Sequence, residues 1–474
     1  MNLFLASDPR PVHFVGIAGA GMSALAQLAL LRGVAVTGSD KVPAGAPDLA
    51  GLGATVWAGH DARYVEGARA VIVSAAIPQE HPEVRRALEL GLVVVSRKEA
   101  LGALVAGRRT VAVAGTHGKT TTTAMTTEAL VAAGLDPTGL AGGRVAAWRG
   151  NARSGSDRWY VVEADEFDQA FLALSPTIAV ITNVEREHLE SYGQSAEQLR
   201  DAFVTFASRA DKAIIGSGGE LTEAVAEGVT APVWRYGRSG NPENRSLTEP
   251  PRTFGKDLDL AVETIAPSPE GSSSRIRLPD GRHATLRLGV PGEHNVMNAA
   301  AAVGVVLAVG APLPPALEGL AGFAGVGRRF DRLGEAAGVT VVDDYAHHPT
   351  EIAATLAAAR ESYPGRRLVA VFQPHLFSRT ARLGAQMGDA LAGADRILVT
   401  AVYPAREAPI PGVGGHLVAE AANRKGAAVE LVEDREALLA RLREAVRPGD
   451  VVLTLGAGDI TTLGPALLEG LRSP

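Results

Sequence analysis

The sequence contains no cysteine among its 474 residues. That excludes disulfides, thiolate-bound zinc and iron–sulfur clusters, and it fits a reducing compartment such as the cytoplasm. An excess of basic charge is also missing. Lys and Arg number 46 against 52 Asp and Glu, a net charge of −6, so non-specific nucleic-acid binding has no electrostatic support. Long apolar runs are lacking too. The longest uncharged stretch, Asn295 to Leu317, is interrupted by Gly304, Gly310, Pro312, Pro314 and Pro315. It reads as a buried helix ending near Val309 followed by a Pro-rich link, not as a membrane span. Met1 to Pro11 has neither the basic start nor the apolar core of a signal peptide. The expectation is a cytoplasmic chain without stable membrane insertion.

What is present suits soluble domains with real cores: 46% hydrophobic and 21% charged residues, and a length that allows roughly three domains at about 150 residues each. The most informative stretch is V-A-V-A-G-T-H-G-K-T-T-T-T, Val111 to Thr123. An apolar strand (Thr110 to Ala114) runs into a glycine turn, then Lys119, Thr120 and a helix over Thr121 to Ala133. Gly115 and Gly118 free backbone N–H groups to turn toward phosphate oxygens, and the helix adds its partly positive N-terminus. Lys119 then reaches the β/γ-phosphates and the Thr120 hydroxyl joins a Mg²⁺ shell. Thr116 and Thr121 complete the set expected to hold ATP. The usual P-loop glycine five residues before Gly118 is Val113 here, so an ordinary βα turn stays open as an alternative.

Upstream, short β-branched runs alternate with Ala/Leu helices over residues 13 to 98, which argues parallel βαβ units. Gly19-Ala-Gly21-Met22-Ser-Ala24 satisfies G-x-G-x-x-A at a strand-to-helix turn, and Asp40 follows 19 residues after Gly21. That is the pattern for a diphosphate-linked nucleotide, or for close helix–strand packing alone. Downstream, the strand Tyr160-Val-Val ends in Glu163-Ala-Asp165-Glu166-Phe-Asp168, where a Mg²⁺-organising acid belongs or where a solvated loop would serve. A further buried strand leads from Ile178 to Val-Glu185-Arg-Glu187-His188, whose histidine is a metal or substrate candidate. Residues 238 to 290 turn Pro-, Ser- and Gly-rich, notably Asn241 to Gly255 and Pro267 to Ser274. They read as a small β subdomain. Asn295 and Asn298 lie three apart on the helix that follows, and capping explains one more easily than both.

After Arg328-Arg329, a third α/β unit places Asp343, Asp344, Tyr345, His347 and His348 at one strand end. The loops Gln373 to Thr380, Tyr403 to Glu407 and Gly456 to Asp459 follow other strands. Ligands of open α/β sheets collect at such ends.

Together these segments resemble the Mur ligase family of cell-wall peptide synthetases, from about residue 13 to residue 464. The resemblance rests on H-F-V-G-I-A-G-A-G-M (13–22), A-G-T-H-G-K-T-T-T-T-A-M (114–125), E-A-D-E-F-D (163–168), T-N-V-E-R-E-H (182–188) and H-N-V-M-N (294–298). It continues through D-D-Y-A-H-H-P-T-E-I (343–352), Q-P-H-L-F-S-R-T (373–380), Y-P-A-R-E-A-P-I-P-G-V (403–413) and G-A-G-D-I (456–460). It implies a three-domain α/β protein: a Rossmann-like domain over 1–98 for a UDP-sugar, a P-loop domain with a small β subdomain over 99–321 for ATP and Mg²⁺, and a Rossmann-like domain over 322–474 that closes over them. It implies ATP-driven amide formation through an acyl phosphate, with UDP-N-acetylmuramate and L-alanine as partners and a monomer or homodimer as the working state. By this resemblance Lys119 contacts the γ-phosphate, Thr120 and Glu163 hold one Mg²⁺, and His188 a second. Asn295, Asn298, Arg329 and Asp344 hold ATP, while Tyr345, His347, His375 and Arg379 line the substrate side. Gly19, Gly21, Met22 and Asp40 serve the nucleotide sugar. Lys119, His188 and Arg329 carry the catalytic roles.

Three positions depart from the family pattern. Phe167 replaces the usual Ser, Glu187 replaces Asp, and Leu376 stands where a basic residue is expected, with Arg382 as the candidate replacement. Two other activities stay open on the residues alone. One is the recycling ligase that attaches a tripeptide to the same nucleotide sugar, and the other is an NAD-dependent oxidoreductase built on Gly19, Gly21 and Asp40. A non-catalytic ATP-binding regulator is a third class.

Overall fold

The computed structural model describes residues 3–4, 6–43, 47–239, 258–268, 271–405 and 407–472. The chain divides into two compact units: Met1–Thr264 with Ser274–Arg287 and Met297–Ala324, and Ile265–Ser273 with Leu288–Val296 and Gly325–Pro474. Asn241 to Gly255, residues 269–270 and Arg406 lie outside the described residues.

Two sheets lie wholly or mostly in the first unit. Five strands, β1 (Val12–Val15), β2 (Val36–Asp40), β3 (Thr55–Ala58), β4 (Ala70–Val73) and β5 (Val93–Ser96), pair in parallel in the order β3-β2-β1-β4-β5. The central β1 is buried along its whole length, as its Val-His-Phe-Val composition requires. The fingerprint helix, Ala20–Leu31, is apolar nearly all round because it is covered on both sides. One side meets this sheet. On the other, Gln27 Oε1 accepts from the backbone N–H groups of Asn151 and Ala152 at 2.7 and 3.0 Å. Those residues belong to β8 (Gly150–Arg153), an edge strand antiparallel to β7 (Thr138–Val145).

The second sheet is built around β6 (Arg109–Ala114), β9 (Trp159–Glu163) and β10 (Ile178–Ile181), whose β-branched residues are buried on both faces, as parallel strands covered by helices demand. It runs on through β11 (Lys212–Gly216), β12 (Val233–Arg238), β13 (Leu260–Ser268), β14 (Gly271–Arg277) and β15 (His283–Leu288), in the order β15-β14-β13-β12-β11-β10-β6-β9-β7-β8. The short β segments expected after residue 238 are therefore present. The expected P-loop helix starts two residues early, at Lys119, and ends at Ala132.

The second unit holds a six-stranded sheet. Its strands β16 (Asp331–Ala336), β17 (Val339–Asp344), β18 (Leu368–Phe372), β19 (Arg396–Val399), β20 (Val429–Leu431) and β21 (Val451–Leu455) take the order β16-β17-β21-β18-β19-β20. Only β16 pairs antiparallel. Strands β18 and β21 end at Phe372 and Leu455, immediately before the loops expected from Gln373 and Gly456. Their buried five-residue apolar runs are bounded by polar turns at both ends. No helix among the described residues is long and apolar enough to cross a membrane.

Candidate active site

The phosphate loop lies in the first unit. Gly115 and Gly118 have φ of +133° and +81°, a region that strongly favours glycine. Space forbids a side chain there as well. A Cβ at 115 would lie 2.0 Å from Thr182 Oγ1, and one at 118 would lie 2.5 Å from Asn298 Oδ1. Val113 is buried in β6 and pairs with Val180 and Glu163, so the turn begins only at Gly115. The segment after β10 braces the loop. Thr116 N–H donates to Asn183 O at 2.9 Å, and His117 N–H to Asn183 Oδ1 at 3.0 Å. Thr182 Oγ1 donates to His117 O at 2.6 Å, and Glu185 N–H to Thr116 Oγ1 at 2.8 Å. Reading the sequence picked out only His188 from this segment. The bracing roles of Thr182 and Asn183 had no local signal.

Lys119 folds back over its own loop. Its Nζ donates to Gly115 O at 2.6 Å and to Glu166 Oε1 at 3.0 Å. Glu166 Oε2 is nearer still, at 2.8 Å, but off the line of a hydrogen bond. Burial by itself would lower the Lys119 pKa. The carboxylates of Glu166, Asp165 and Glu163 outweigh that and raise it, so the ammonium stays charged. Burial pushes Glu166 upward, and Lys119 opposes the shift. Tyr192 fixes the same corner by donating to the Glu166 carbonyl at 2.6 Å. Nothing local in the sequence sets Glu166 apart from the other acids of its loop.

The proposed metal ligands gather around this pair. Glu163 Oε2 accepts from Gly142 N–H at 2.5 Å, and His188 Nε2 lies 4.0 Å from Glu166 Oε1. His188 adopts φ of +54°, and the Phe167 ring meets it edge-on at 5.4 Å. Thr120 is buried at the head of the helix, with Thr121 and Thr122 behind it. Asn298 reaches the same place, its Oδ1 accepting from Thr122 Oγ1 at 3.1 Å. Carboxylate and hydroxyl oxygens around a cationic lysine fit a hard cation such as Mg²⁺. Asn295 behaves differently, turning its amide onto Pro291 O at 2.7 Å.

The fingerprint turn faces this acid cluster across a cavity of about 140 Å³ lined by Gly21, Ala24, Arg97, Gly142, Glu163 and Asp165 among others. Arg97 pairs with Asp165 at 2.8 Å and lies so close over Gly21 that a Cβ there would sit 2.7 Å from its guanidinium. Gly21 thus serves close approach, and Arg97 is a second residue that reading the sequence missed. Asp40 spends both oxygens on backbone, accepting from Ala18 N–H at 3.0 Å and Val42 N–H at 2.9 Å, and so shapes the turn. Gly19 opens the helix, its carbonyl accepting from Ser23 N–H at 2.8 Å, while the Met22 side chain is in the core.

The second unit brings its own predicted residues together. Tyr345, His347, His375 and Tyr403 form a run of rings with successive centroids 5.1, 5.9 and 5.7 Å apart. The strand-end loops meet directly in a bridge between His375 and Tyr403. Arg379, nearly buried, has its Nη1 3.4 Å from His375 Nδ1. Arg328 and Arg329 both lie over the Tyr345 ring, at 4.9 and 5.0 Å, and Arg329 is 3.6 Å from Glu351. Asp344 accepts from Phe330 and Ala346 N–H groups, each at 2.7 Å. Burial pushes its carboxyl up to about 6, against the pull of Arg329 and these bonds. Burial likewise holds His347 down to about 3 and His294 to about 4.

Family models match three successive stretches of this chain: the Mur ligase catalytic domain at residues 11–109, the Mur ligase middle domain at 113–306, and the glutamate ligase domain of Mur ligases at 328–458. The chain belongs to the Mur ligase family. Among Mur ligases it is 42% identical to a UDP-N-acetylmuramate–L-alanine ligase of Acidithiobacillus ferrooxidans, with 96% of each chain covered. It is 46% identical to a UDP-N-acetylmuramate–L-alanine ligase of Kineococcus radiotolerans, over 97% of this chain and 95% of that one. A solved UDP-N-acetylmuramate–alanine ligase from Thermotoga maritima superposes with a TM-score of 0.82 at 30% identity, covering 98% of this chain and 99% of that one. A murein peptide ligase from Psychrobacter arcticus reaches 0.72 at 25% identity, with 98% and 99% covered.

The positions that depart from the usual Mur ligase pattern each have a local setting. Phe167 keeps contact with His188 through its ring edge, and Glu187 is buried. Leu376, at φ of +68°, works through its backbone: its N–H donates to Tyr403 O at 3.0 Å and its carbonyl accepts from Thr380. Arg382 stands exposed on the helix that follows, Phe377–Leu391.

Proposed function

We propose that this chain joins L-alanine to the lactyl carboxylate of UDP-N-acetylmuramate, converting ATP to ADP and phosphate, as a step of peptidoglycan precursor synthesis in the cytoplasm. The observation that carries the reading is Lys119, held charged between the loop carbonyls and Glu166 and in the field of Glu163, which lines the cavity under Gly21. Full-length relatives bearing this activity in their names support it. The proposed division of labour assigns residues 1–98 to the nucleotide sugar, 99–321 to ATP and Mg²⁺, and 322–474 to closure over both.

A carboxylate becomes an acyl donor only when one oxygen is made a leaving group. Here that oxygen takes the γ-phosphoryl group of ATP, and the amine of L-alanine then expels phosphate, forming the amide and releasing a proton. The first transfer is governed by positioning and charge neutralisation. Lys119 supplies one fixed positive charge, and the glycine turn with the following helix supplies backbone N–H donors. Thr120, Glu163 and His188 would hold Mg²⁺, which when bound neutralises phosphate charge. Asn298 keeps Gly118 in place from behind. In the second unit Arg329 and Asp344 would meet ATP, and Tyr345, His347, His375 and Arg379 the amino-acid side.

Phosphate release in the presence of ATP, Mg²⁺ and UDP-N-acetylmuramate, with L-alanine, glycine, L-serine or the tripeptide added in turn, tests this. Greatest stimulation by L-alanine, with the matching amide product, is expected. The margin over glycine is bounded by one methyl contact, about 1–3 kcal/mol. Preference for the tripeptide would move the chain to the recycling activity. The oxidoreductase reading gives no role to Lys119 or Glu163, and Asp40 is already bound to backbone.

A further inference from the structure

The first sheet carries a polar cluster apart from the phosphate loop. Glu83, fully buried near the start of the helix Pro82–Glu89, accepts on Oε2 from Ser39 Oγ at 2.7 Å, and His13 Nε2 lies at the same distance. His13 is fixed in turn by Thr37 Oγ1, 2.9 Å from its Nδ1. The other carboxylate oxygen, Oε1, faces His60 Nδ1 at 3.0 Å. His81, at the N-cap of the same helix, meets the His60 ring edge-on with centroids 4.5 Å apart.

We propose that His60, His81 and Glu83 bind one divalent cation of the zinc type. Each offers a donor atom, and the three donors lie within 4.8 Å of one another. Two ligands at about 2.1 Å from a tetrahedral zinc stand about 3.4 Å apart, so small ring rotations close the set. Two imidazoles and one carboxylate suit zinc, cobalt or nickel rather than Mg²⁺. The outer partners of a metal site are in place too. Ser39 and His13 orient the carboxylate, and Thr37 orients His13, an arrangement that fixes ligands before the ion arrives.

A second observation points the same way. The hydrogen-bonded chain from Thr37 through His13 to Glu83 and Ser39 is complete without His81. Yet His81 Nδ1 is shielded from solvent and finds no hydrogen-bond partner among the described residues. A shielded nitrogen lone pair beside a second imidazole and a buried carboxylate is what a cation would engage. His60 would exchange its Nδ1 proton for the ion. Lys41 adds a positive field at His81, which tempers affinity. None of these residues belongs to the phosphate-loop cluster, so the ion bridges β3, which precedes His60, to the His81 turn as a structural clamp.

The test uses tag-free, full-length protein stripped with chelator and dialysed against Zn²⁺ with Mg²⁺ in excess, followed by metal analysis. One equivalent of zinc is expected, with retention weakened at least about tenfold in His81→Asn and in His60→Asn. Asn is itself a good N-cap, so His81→Asn keeps the helix start, and circular dichroism checks each fold. Co²⁺ provides an optical readout: its visible bands in the wild type vanish in the same variants. His188→Ala should retain the zinc. Absence of zinc from the wild type, undiminished binding in His81→Asn, or loss of zinc in His188→Ala would each overturn the site.

Discussion

The Nζ of Lys119 lies 2.8 Å from Oε2 of Glu166, and within the first unit the carboxylate is buried and the lysine largely so. A buried ion pair holds together only while both partners are present, because the charge left behind has no water to solvate it. The lysine proposed to serve the phosphates is thereby also part of the fold.

Replacing Lys119 with Met should reduce turnover by about 10²-fold or more, the loss expected when a fixed donor to transferring charge is removed. The fold should survive but lose about 3–5 kcal/mol in urea unfolding, since Glu166 is left buried and unpaired. Adding Glu166→Gln should restore most of that stability and none of the turnover. A single Lys119→Met variant with normal turnover would remove the loop from the mechanism.

Gly142→Ala should separate metal use from stability. The added Cβ would sit 2.6 Å from both oxygens of Glu163, which now accepts from Gly142 N–H. The carboxylate is the end of a flexible chain and swings aside at modest cost. The Mg²⁺ concentration for half-maximal rate should rise about tenfold, while the melting temperature moves by only a few degrees. Magnesium titration and calorimetry on the same protein decide it.

His188→Ala should likewise raise the Mg²⁺ requirement by about tenfold. An unchanged titration would confine His188 to its contacts with Phe167 and Glu166.

Acid should destabilise the second unit earlier than its carboxylates alone would. Unfolded histidine takes up a proton near pH 6.5, whereas folded His347 and His294 do so only near 3 and 4. Between those limits the unfolded chain binds more protons, so stability falls as pH drops, by up to about 1.4 kcal/mol per pH unit for each group. His347→Gln should flatten this slope. Because the four tryptophans, Trp57, Trp148, Trp159 and Trp234, all belong to the first unit, hydrogen exchange of the β17 amides is the suitable readout.

Elements whose signal is local were legible without coordinates. Strands β6, β18 and β21 are apolar runs ended by polar or glycine turns, and the helix after Gly118 announces itself by the glycine that precedes it. Strands β7 and β8 were not visible. Thr138–Val145 contains three glycines and no alternation, and it becomes a strand because β9 pairs with it on one side and the fingerprint helix packs against it.

The sequence by itself determined the phosphate loop, the fingerprint turn and the residues at the strand ends, because each depends on neighbours within a few positions along the chain. Only tertiary structure distinguished the acids of E-A-D-E-F-D. In the chain they look alike, but Glu166 is buried against a lysine 47 residues away, Glu163 is held by Gly142, and Asp168 is exposed beside Lys98. Thr182 and Asn183 became loop braces, and Arg97 a cover for Gly21, in the same way. Burial and partners of this kind set the charge and direction of a side chain, and they exist only once distant strands have paired.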